Sequence, residues 1–162
     1  MNKGVIIALL SMGLAQGMKI PLHYRKTGKW KPEIFFQTGG MPSSHSAGVT
    51  SLTTYIALKR GFPTIDFALS LIYGLIVMYD AQGVRRQAGE LTLKVNDLHE
   101  LVEKINKDES VAFEEEPPKK LKEVLGHEPE EVIGGALFGV LTGAMGYLLG
   151  KNDRKMSKFK IL

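Results

Sequence analysis

The 162-residue chain contains no cysteine. This absence excludes a disulfide framework, a thiolate metal site and a cysteine nucleophile. Aromatic residues are also scarce, at 8% of the chain, and they do not interleave with a basic patch as nucleic-acid-binding surfaces require. The long apolar segments lack the period-two alternation of half-buried strands. We therefore predict neither a nucleic-acid partner nor a β-sheet protein.

The charges are unevenly distributed along the chain. It has 21 lysines and arginines against 17 aspartates and glutamates. Twelve of the acidic residues, beside only five lysines, lie between Asp97 and Glu131, so the remainder of the chain is strongly basic. A basic body of this kind suits anionic lipid headgroups or a phosphorylated small molecule. We predict a phosphate-bearing partner and a membrane.

Four apolar segments are long enough to form the main helices of the fold. They are Gly4–Met18, Ser46–Leu58, Phe67–Tyr79 and Val132–Gly150. Their lengths favour helices over strands, and the last is uncharged over nearly the ~20 residues that a membrane-spanning helix needs. The first is expected to end at Lys19. We predict an all-α, multi-helix bundle of four or five helices, embedded in the cell membrane as a multi-pass protein.

Glycine is abundant, with 18 residues, and many lie inside the apolar segments. An interior glycine costs a water-soluble helix about 1 kcal/mol relative to alanine, whereas membrane helices use small residues to approach one another closely. Gly135, Gly139 and Gly143 recur at every fourth position of the last segment. We expect a close-packing face there, either within one chain or between the copies of a homo-oligomer.

We predict one helical domain over residues 1–162. Residues 97–126 are polar and acidic, and we expect a solvated loop inserted before the last helix; residues 151–162 form a basic tail. Two alternatives stay open. The first apolar segment, with Ala15–Gly17 as a cleavage site, resembles a signal peptide. A mean hydropathy of −0.03 is also compatible with a soluble helical protein.

Chemically active side chains lie at the ends of these segments. If successive helices run up and down, the end of the first, the start of the second, the end of the third and the start of the last share one side. That side would collect two histidines and several cations: Lys19, His45, Arg85, Arg86 and His127. The free N–H groups of a helix start bind phosphate readily, and arginine and lysine add charge. We therefore predict an anion site at this end of the bundle.

The second helix is expected to begin after the turn "GGMPSS". Either Ser43 or Ser44 can serve as its N-cap or donate to a phosphate. Histidine acts as a nucleophile or a general acid near neutral pH, which makes His45 and His127 the catalytic candidates. Glu131 lies four residues after His127, so its carboxylate can orient one imidazole nitrogen across a helical turn.

We predict non-catalytic roles for the remaining polar residues near these helix ends. Asp80 is expected to pair with Arg85. One of Arg85 and Arg86 is expected to anchor a helix end at lipid headgroups. His23 and His99 are expected to be surface residues.

Three stretches, "GGMPSSHSA", "YDAQGVR" and "GHEPEEVIGG", resemble the divergent bacterial and plant branch of the type 2 phosphatidic acid phosphatase superfamily, and the resemblance covers nearly the whole chain. Wider relatives include lipid phosphatases, bacterial acid phosphatases and vanadium haloperoxidases. The superfamily has glycine where this chain has Ser44, and aspartate where it has Glu131. Its third motif is split here, because His127 follows Arg85 by about forty residues.

The resemblance implies a role for each residue of the site. His127 would attack phosphorus and form a phospho-histidine, Glu131 would orient His127, and His45 would protonate the leaving oxygen. The residues that would hold the phosphate are Lys19, Ser43, Ser44 and Arg85, with Lys26 or Arg25 as further candidates. The phosphatases of this superfamily require no metal or other cofactor.

We predict hydrolysis of a phosphomonoester or pyrophosphate on a lipid or isoprenoid-type substrate. The alternative is a non-catalytic membrane module that binds phospholipid head groups or a protein partner, with the acidic residues 97–126 as its contact surface. The altered motifs favour the alternative, and the two retained histidines favour the enzyme.

Overall fold

Helices account for nearly all of the regular structure. A computed structural model describes residues 2–37, 39–108, 121 and 126–159, with the backbone alone at residues 85, 106–108 and 152–159. Within these ranges no strand occurs, which confirms the all-α prediction. The elements are α1 (Lys3–Thr27), a 3₁₀ turn (Pro32–Phe36), α2 (Ser44–Arg60), α3 (Ile65–Gln82), α4 (Val84–Asp108) and α5 (Pro129–Phe159).

Side-chain caps fix the starts of the first three α-helices. Asn2 accepts a hydrogen bond from the N–H of Gly4 at 2.9 Å. Ser43 and Thr64 cap α2 and α3 in the same way, through the N–H groups three residues on. Each cap satisfies one of the N–H groups that a helix start leaves without a partner.

Helix α1 is longer than expected. Pro21 lies inside it, and the helix ends only at Gly28, whose positive φ of 68° suits glycine. The prediction that α1 ends at Lys19 is therefore wrong. Proline removes one hydrogen bond, and membrane helices tolerate that loss when neighbouring groups compensate. Lys19 consequently lies two turns before the end of α1.

The core of the bundle is the contact between α2 and α5. The glycine face of α5 lies directly against the α2 backbone: a Cβ atom at Gly135, Gly139 or Gly143 would meet the carbonyl oxygen of Ser43, Ala47 or Ser51. The close-packing face predicted from the glycine spacing is thus used within one chain. It is not available to a second copy.

Small polar side chains fill the interior. Ser11 of α1 donates to the carbonyl oxygen of Ala47 at 3.1 Å and lies 2.7 Å from the hydroxyl of Thr142 in α5. The hydroxyl of Thr50 lies 3.1 Å from the carbonyl oxygen of Ala136. Such contacts join α1, α2 and α5 without a large apolar core, as membrane helices do.

The large apolar side chains point outward instead. Examples with more than half of their surface exposed are Leu9, Leu14, Leu69, Ile72, Leu137 and Leu141. Three helical stretches are long and apolar enough to cross a membrane: Lys3–Thr27, Ile65–Ile105 and Pro129–Lys151. An apolar exterior around a small-residue interior is the arrangement that lipid favours.

The polar insert begins later than predicted. Residues 97–108, expected in a loop, continue α4. Side-chain contacts at i, i+4 support this helix: His99 lies 3.1 Å from Glu103, and Glu100 and Lys104 form an ion pair at 3.1 Å. The rest of the predicted loop, apart from residues 121 and 126, lies outside the described residues. So does the end of the basic tail, residues 160–162; up to Phe159 the tail continues α5.

Candidate active site

Four helix segments converge at one end of the bundle, as the up-and-down argument predicts. The N–H of Ser43, before α2, donates to the carbonyl oxygen of Glu131 in α5 at 2.9 Å. The N–H of His127 donates to the carbonyl oxygen of Ala81, near the end of α3, at 3.0 Å. Nζ of Lys19 in α1 donates to the carbonyl oxygen of Gly39 at 2.6 Å. Direct hydrogen bonds therefore hold three of the four predicted helix ends together, and Lys19 lies beside them.

His127 is buried and oriented by a carboxylate. Its side chain lies just before α5, 4% of the residue is exposed, and Nδ1 is 2.9 Å from Oε2 of Glu131. A carboxylate only accepts hydrogen bonds, so this contact places the proton of a neutral imidazole on Nδ1. The lone pair is then on Nε2. The same carboxylate oxygen accepts the N–H of Glu128 at 3.3 Å, which holds it in place.

The rings of His45 and His127 are adjacent. Their ring centres are 6.1 Å apart, with an angle of 67° between the ring planes. His45 is half-buried in the first turn of α2, one residue after Ser44. The two predicted catalytic histidines, separated by more than eighty positions in the sequence, are therefore adjacent in the fold.

The two serines before His45 differ in their surroundings. Ser43 is fully buried and is the N-cap of α2: its Oγ accepts the N–H of Ser46 at 3.3 Å and the hydroxyl of Ser46 at 3.1 Å. Ser44 is half-buried at the first position of the helix. The geometry thus resolves the open choice of cap in favour of Ser43, and leaves Ser44 as the more accessible hydroxyl.

A glycine turn positions Lys19. Gly39 and Gly40 have φ angles of 82° and 83°, which side-chain-bearing residues adopt only with strain. A Cβ atom at Gly40 would lie 3.6 Å from Cδ of Lys19. The turn thereby directs the Gly39 carbonyl at the ammonium group of Lys19. Only 4% of the surface of Lys19 is exposed. A buried ammonium needs such a partner.

An apolar groove leads away from His45. It has a volume of about 470 Å³ and is lined from α1, α2 and α3. His45 and Asp80 lie in its wall, and most of the remaining wall is apolar, including Met12, Leu52 and Ile76. This apolar groove has the dimensions and chemistry of a site for a hydrocarbon chain.

Glu131 also lines a second depression, the cationic pocket. Its volume is about 480 Å³, and its basic lining residues are Lys19, His23, Arg25, Lys26 and Lys31. His23 is half-buried and lines this pocket. Lys19, His23 and Lys26 are spaced by four and three residues, so they share a helix face. That signal is visible in the sequence once α1 is continued through Pro21.

The polar residues near the junction of α3 and α4 have different surroundings. Arg86 is paired with Glu90, with 3.1 Å between Nε and Oε1. Asp80 lies half-buried in the apolar groove. The side chain of Arg85, and with it the expected Asp80–Arg85 pair, lies outside the described residues. His99 is half-buried rather than a plain surface residue, beside Glu103.

Comparisons with known proteins agree with this architecture. The sequence profile of the Divergent PAP2 family matches residues 1–142, which include every residue of the candidate site. The protein named "Uncharacterized membrane protein YuiD" from Bacillus subtilis (strain 168) is 43% identical over 144 residues, covering 86% of this chain and 90% of that protein. No solved structure matches the chain. The membrane-protein relative and the three membrane-length stretches together make this a multi-pass membrane protein.

Proposed function

Because the chain belongs to the divergent PAP2 family, we propose that it hydrolyses a phosphomonoester or pyrophosphate on a lipid or isoprenoid-type molecule. The observation that carries the proposal is the contact of His127 with Glu131 at 2.9 Å, beside the ring of His45. A nucleophile, its orienting carboxylate and a second titratable group within reach are the parts that histidine-based phosphoryl transfer needs.

The reaction proceeds through a covalent intermediate on His127. Its Nε2 lone pair attacks phosphorus, forming a P–N bond while the bond from phosphorus to the leaving oxygen breaks. His45, protonated, gives its proton to that oxygen, and the alcohol or phosphate product leaves. Neutral His45 then takes a proton from water, whose oxygen attacks phosphorus and breaks the P–N bond. Inorganic phosphate departs, and both histidines return to their starting states.

Positive groups stabilise the charge that develops on the phosphoryl oxygens. Lys19, the N–H groups at the start of α2 and the hydroxyl of Ser44 are the donors that the site geometry supports. Arg85 is added by the family resemblance. We assign Ser43 to the cap of α2 rather than to the phosphate, because its hydroxyl is fully buried.

The apolar groove supports an amphiphilic substrate. A hydrocarbon chain lying between α1, α2 and α3 would place its phosphate next to His45, at the polar end of the groove. Because the groove is formed by helices of membrane character, such a substrate could enter sideways from the lipid. A soluble phosphomonoester has no hydrocarbon chain to bury against this apolar wall. We therefore expect lipid phosphates to be preferred as substrates.

The cationic pocket favours a second candidate function. It gathers Lys19, Arg25, Lys26 and Lys31 and shares no lining residue with the apolar groove. A non-catalytic module that binds a phospholipid head group there would need these cations but not the His127–Glu131 contact. Turnover distinguishes the two functions, whereas affinity does not.

The deciding experiment is phosphate release by the full chain in detergent. Phosphatidic acid, isoprenoid mono- and diphosphates and a soluble phosphomonoester form the substrate panel. The wild type should turn over a lipid phosphate, and both His45→Ala and His127→Ala should lose that activity. His99→Ala is the matched control and should keep it. If folded wild-type protein binds these lipids without releasing phosphate, the proposed phosphatase activity is overturned and the non-catalytic lipid-binding function is favoured.

A further inference from the structure

Helix α4 carries an apolar stripe that none of the described helices covers. One set of positions recurs every seven residues: Val84, Leu91, Leu98 and Ile105. A second set is interleaved with it: Ala88, Val95 and Val102. The spacing alternates between four and three residues over three consecutive heptads, so all seven side chains lie on one face of the helix.

This stripe is exposed. The exposed fractions of Leu91, Val95, Leu98 and Val102 are 62%, 49%, 62% and 45%. Among the described helices α4 contacts α3 alone. Its other described anchor is Asn96, which exchanges hydrogen bonds of 2.9 and 3.0 Å with the backbone of Leu121. Asn96 does not belong to either heptad set, so this anchor leaves the stripe uncovered.

The period identifies the kind of surface that fits the stripe. A straight helix drifts by about 20° per heptad relative to a strict seven-residue repeat, so such a repeat is maintained where helices wrap around each other. Branched valine at one core position, alternating with mainly leucine at the other, favours two strands. The stripe therefore has the pattern of a two-stranded coiled coil.

The charges of α4 support a helical partner over a lipid surface. The charged residues away from the stripe are of both signs and include Arg86, Glu90, Lys94, Asp97, Glu100, Glu103 and Lys104. Helices that lie on anionic membranes are typically rich in lysine and arginine opposite tryptophan or phenylalanine. No tryptophan, tyrosine or phenylalanine occurs between Val84 and Asp108. The mixed-sign polar face suits the outer, water-facing side of a coiled coil.

We propose that α4 pairs with α4 of a second copy of this chain as a parallel, two-stranded coiled coil. Copies inserted the same way in one membrane present α4 on the same side, and β-branched residues at one core position with mainly leucine at the other are the pattern of parallel pairs. Three heptads are short for an isolated coiled coil, but a shared membrane raises the effective concentration of the two strands. The interface does not depend on the proposed phosphatase activity.

The natural absence of cysteine makes the test direct. Leu98→Cys places a thiol in the stripe, and Glu100→Cys places one two residues further on, facing away from it. After mild oxidation in native membranes, we expect a disulfide-linked dimer from Leu98→Cys and little from Glu100→Cys. Equal cross-linking of the two variants, or none from Leu98→Cys, would overturn the proposal.

A second measurement separates a protein partner from lipid. With a fluorophore on the Leu98→Cys thiol, quenching by spin-labelled lipid should be weak if a second copy covers the stripe. Strong quenching would assign the stripe to the membrane surface instead. Single-molecule photobleaching of labelled protein in lipid vesicles, where the shared membrane is kept, should show two chains per spot for the wild type and one for Leu91→Lys with Leu98→Lys. One chain per spot for the wild type would contradict the coiled coil.

Discussion

At the scale of single residues, Glu131 has two separate duties. Its carboxylate accepts the Nδ1 proton of His127, and its backbone carbonyl accepts the N–H of Ser43. A substitution that changes only the side chain leaves the second contact in place. The function of the carboxylate can therefore be measured without loosening the attachment of α2 to α5.

We predict that Glu131→Gln lowers kcat by roughly 10²-fold or more, with little change in KM. An amide at this position no longer fixes the proton on Nδ1, so the nucleophilic nitrogen is protonated in part of the molecules. Steady-state kinetics with the best lipid phosphate provides the measurement. Glu130→Gln, an exposed neighbour in the same turn, is the control. Equal kcat values in the two variants would remove Glu131 from the mechanism.

Lys19 should contribute to the affinity of the site for phosphate groups. We expect Lys19→Met to weaken the binding of substrate and of inorganic phosphate about 10- to 100-fold, because a hydrogen bond to a charged group contributes about 1.5–3 kcal/mol. The inhibition constant of phosphate and the KM of the substrate both report this loss. Lys29→Met removes an exposed lysine and should leave both constants unchanged. An unaltered phosphate affinity in Lys19→Met would place the anion elsewhere.

At the scale of helices, the close contact between α2 and α5 depends on glycines of α5, which have no side chain. We predict that Gly139→Ala lowers stability by about 1–3 kcal/mol, as overpacking does, because the new Cβ would meet the carbonyl oxygen of Ala47. Gly13→Ala is the matched control, since nothing lies within 4 Å of a Cβ there. Thermal unfolding in detergent should separate the two variants. A lowered midpoint for Gly13→Ala alone would contradict this packing.

Helices α1, α2, α3 and α5 and their order could be predicted from the apolar runs, but α4 could not. The shared end of Lys19, His45 and His127 could be predicted from the alternating helix direction. The extent of α1 could not, because Pro21 normally ends a helix in water. The cationic pocket was missed for that reason, since His23 joins Lys19 on one face only if the helix continues. In residues 97–108, acidic composition concealed a heptad repeat. The catalytic roles stay predictions, because position alone does not measure reactivity.

At the scale of the whole molecule, the site and the start of α1 lie at opposite ends of the bundle. Lys3 lines a small cavity with Tyr55, Tyr147 and Lys151, away from the starts of α2 and α5 that form the site. Because α1 is long enough to cross a membrane, Lys3 and Lys29 should lie on opposite faces of the bilayer.

Single cysteines test this topology in a chain that has none. We expect Lys3→Cys and Lys29→Cys to react with an impermeant maleimide from opposite sides of sealed vesicles. Leu121→Cys should react from the same side as Lys29→Cys, because Leu121 is held beside Asn96 on the helix that follows α3. Labelling of all three positions from one side would contradict a membrane-crossing α1.

The hydrogen bond from the N–H of His127 to the carbonyl oxygen of Ala81 has a consequence for the long gap in the third motif. It joins the end of α3 directly to the residues just before α5, so the intervening segment, more than half of which is α4, does not have to position the histidines. About forty residues can therefore separate Arg85 from His127 while the geometry of the histidines stays the same.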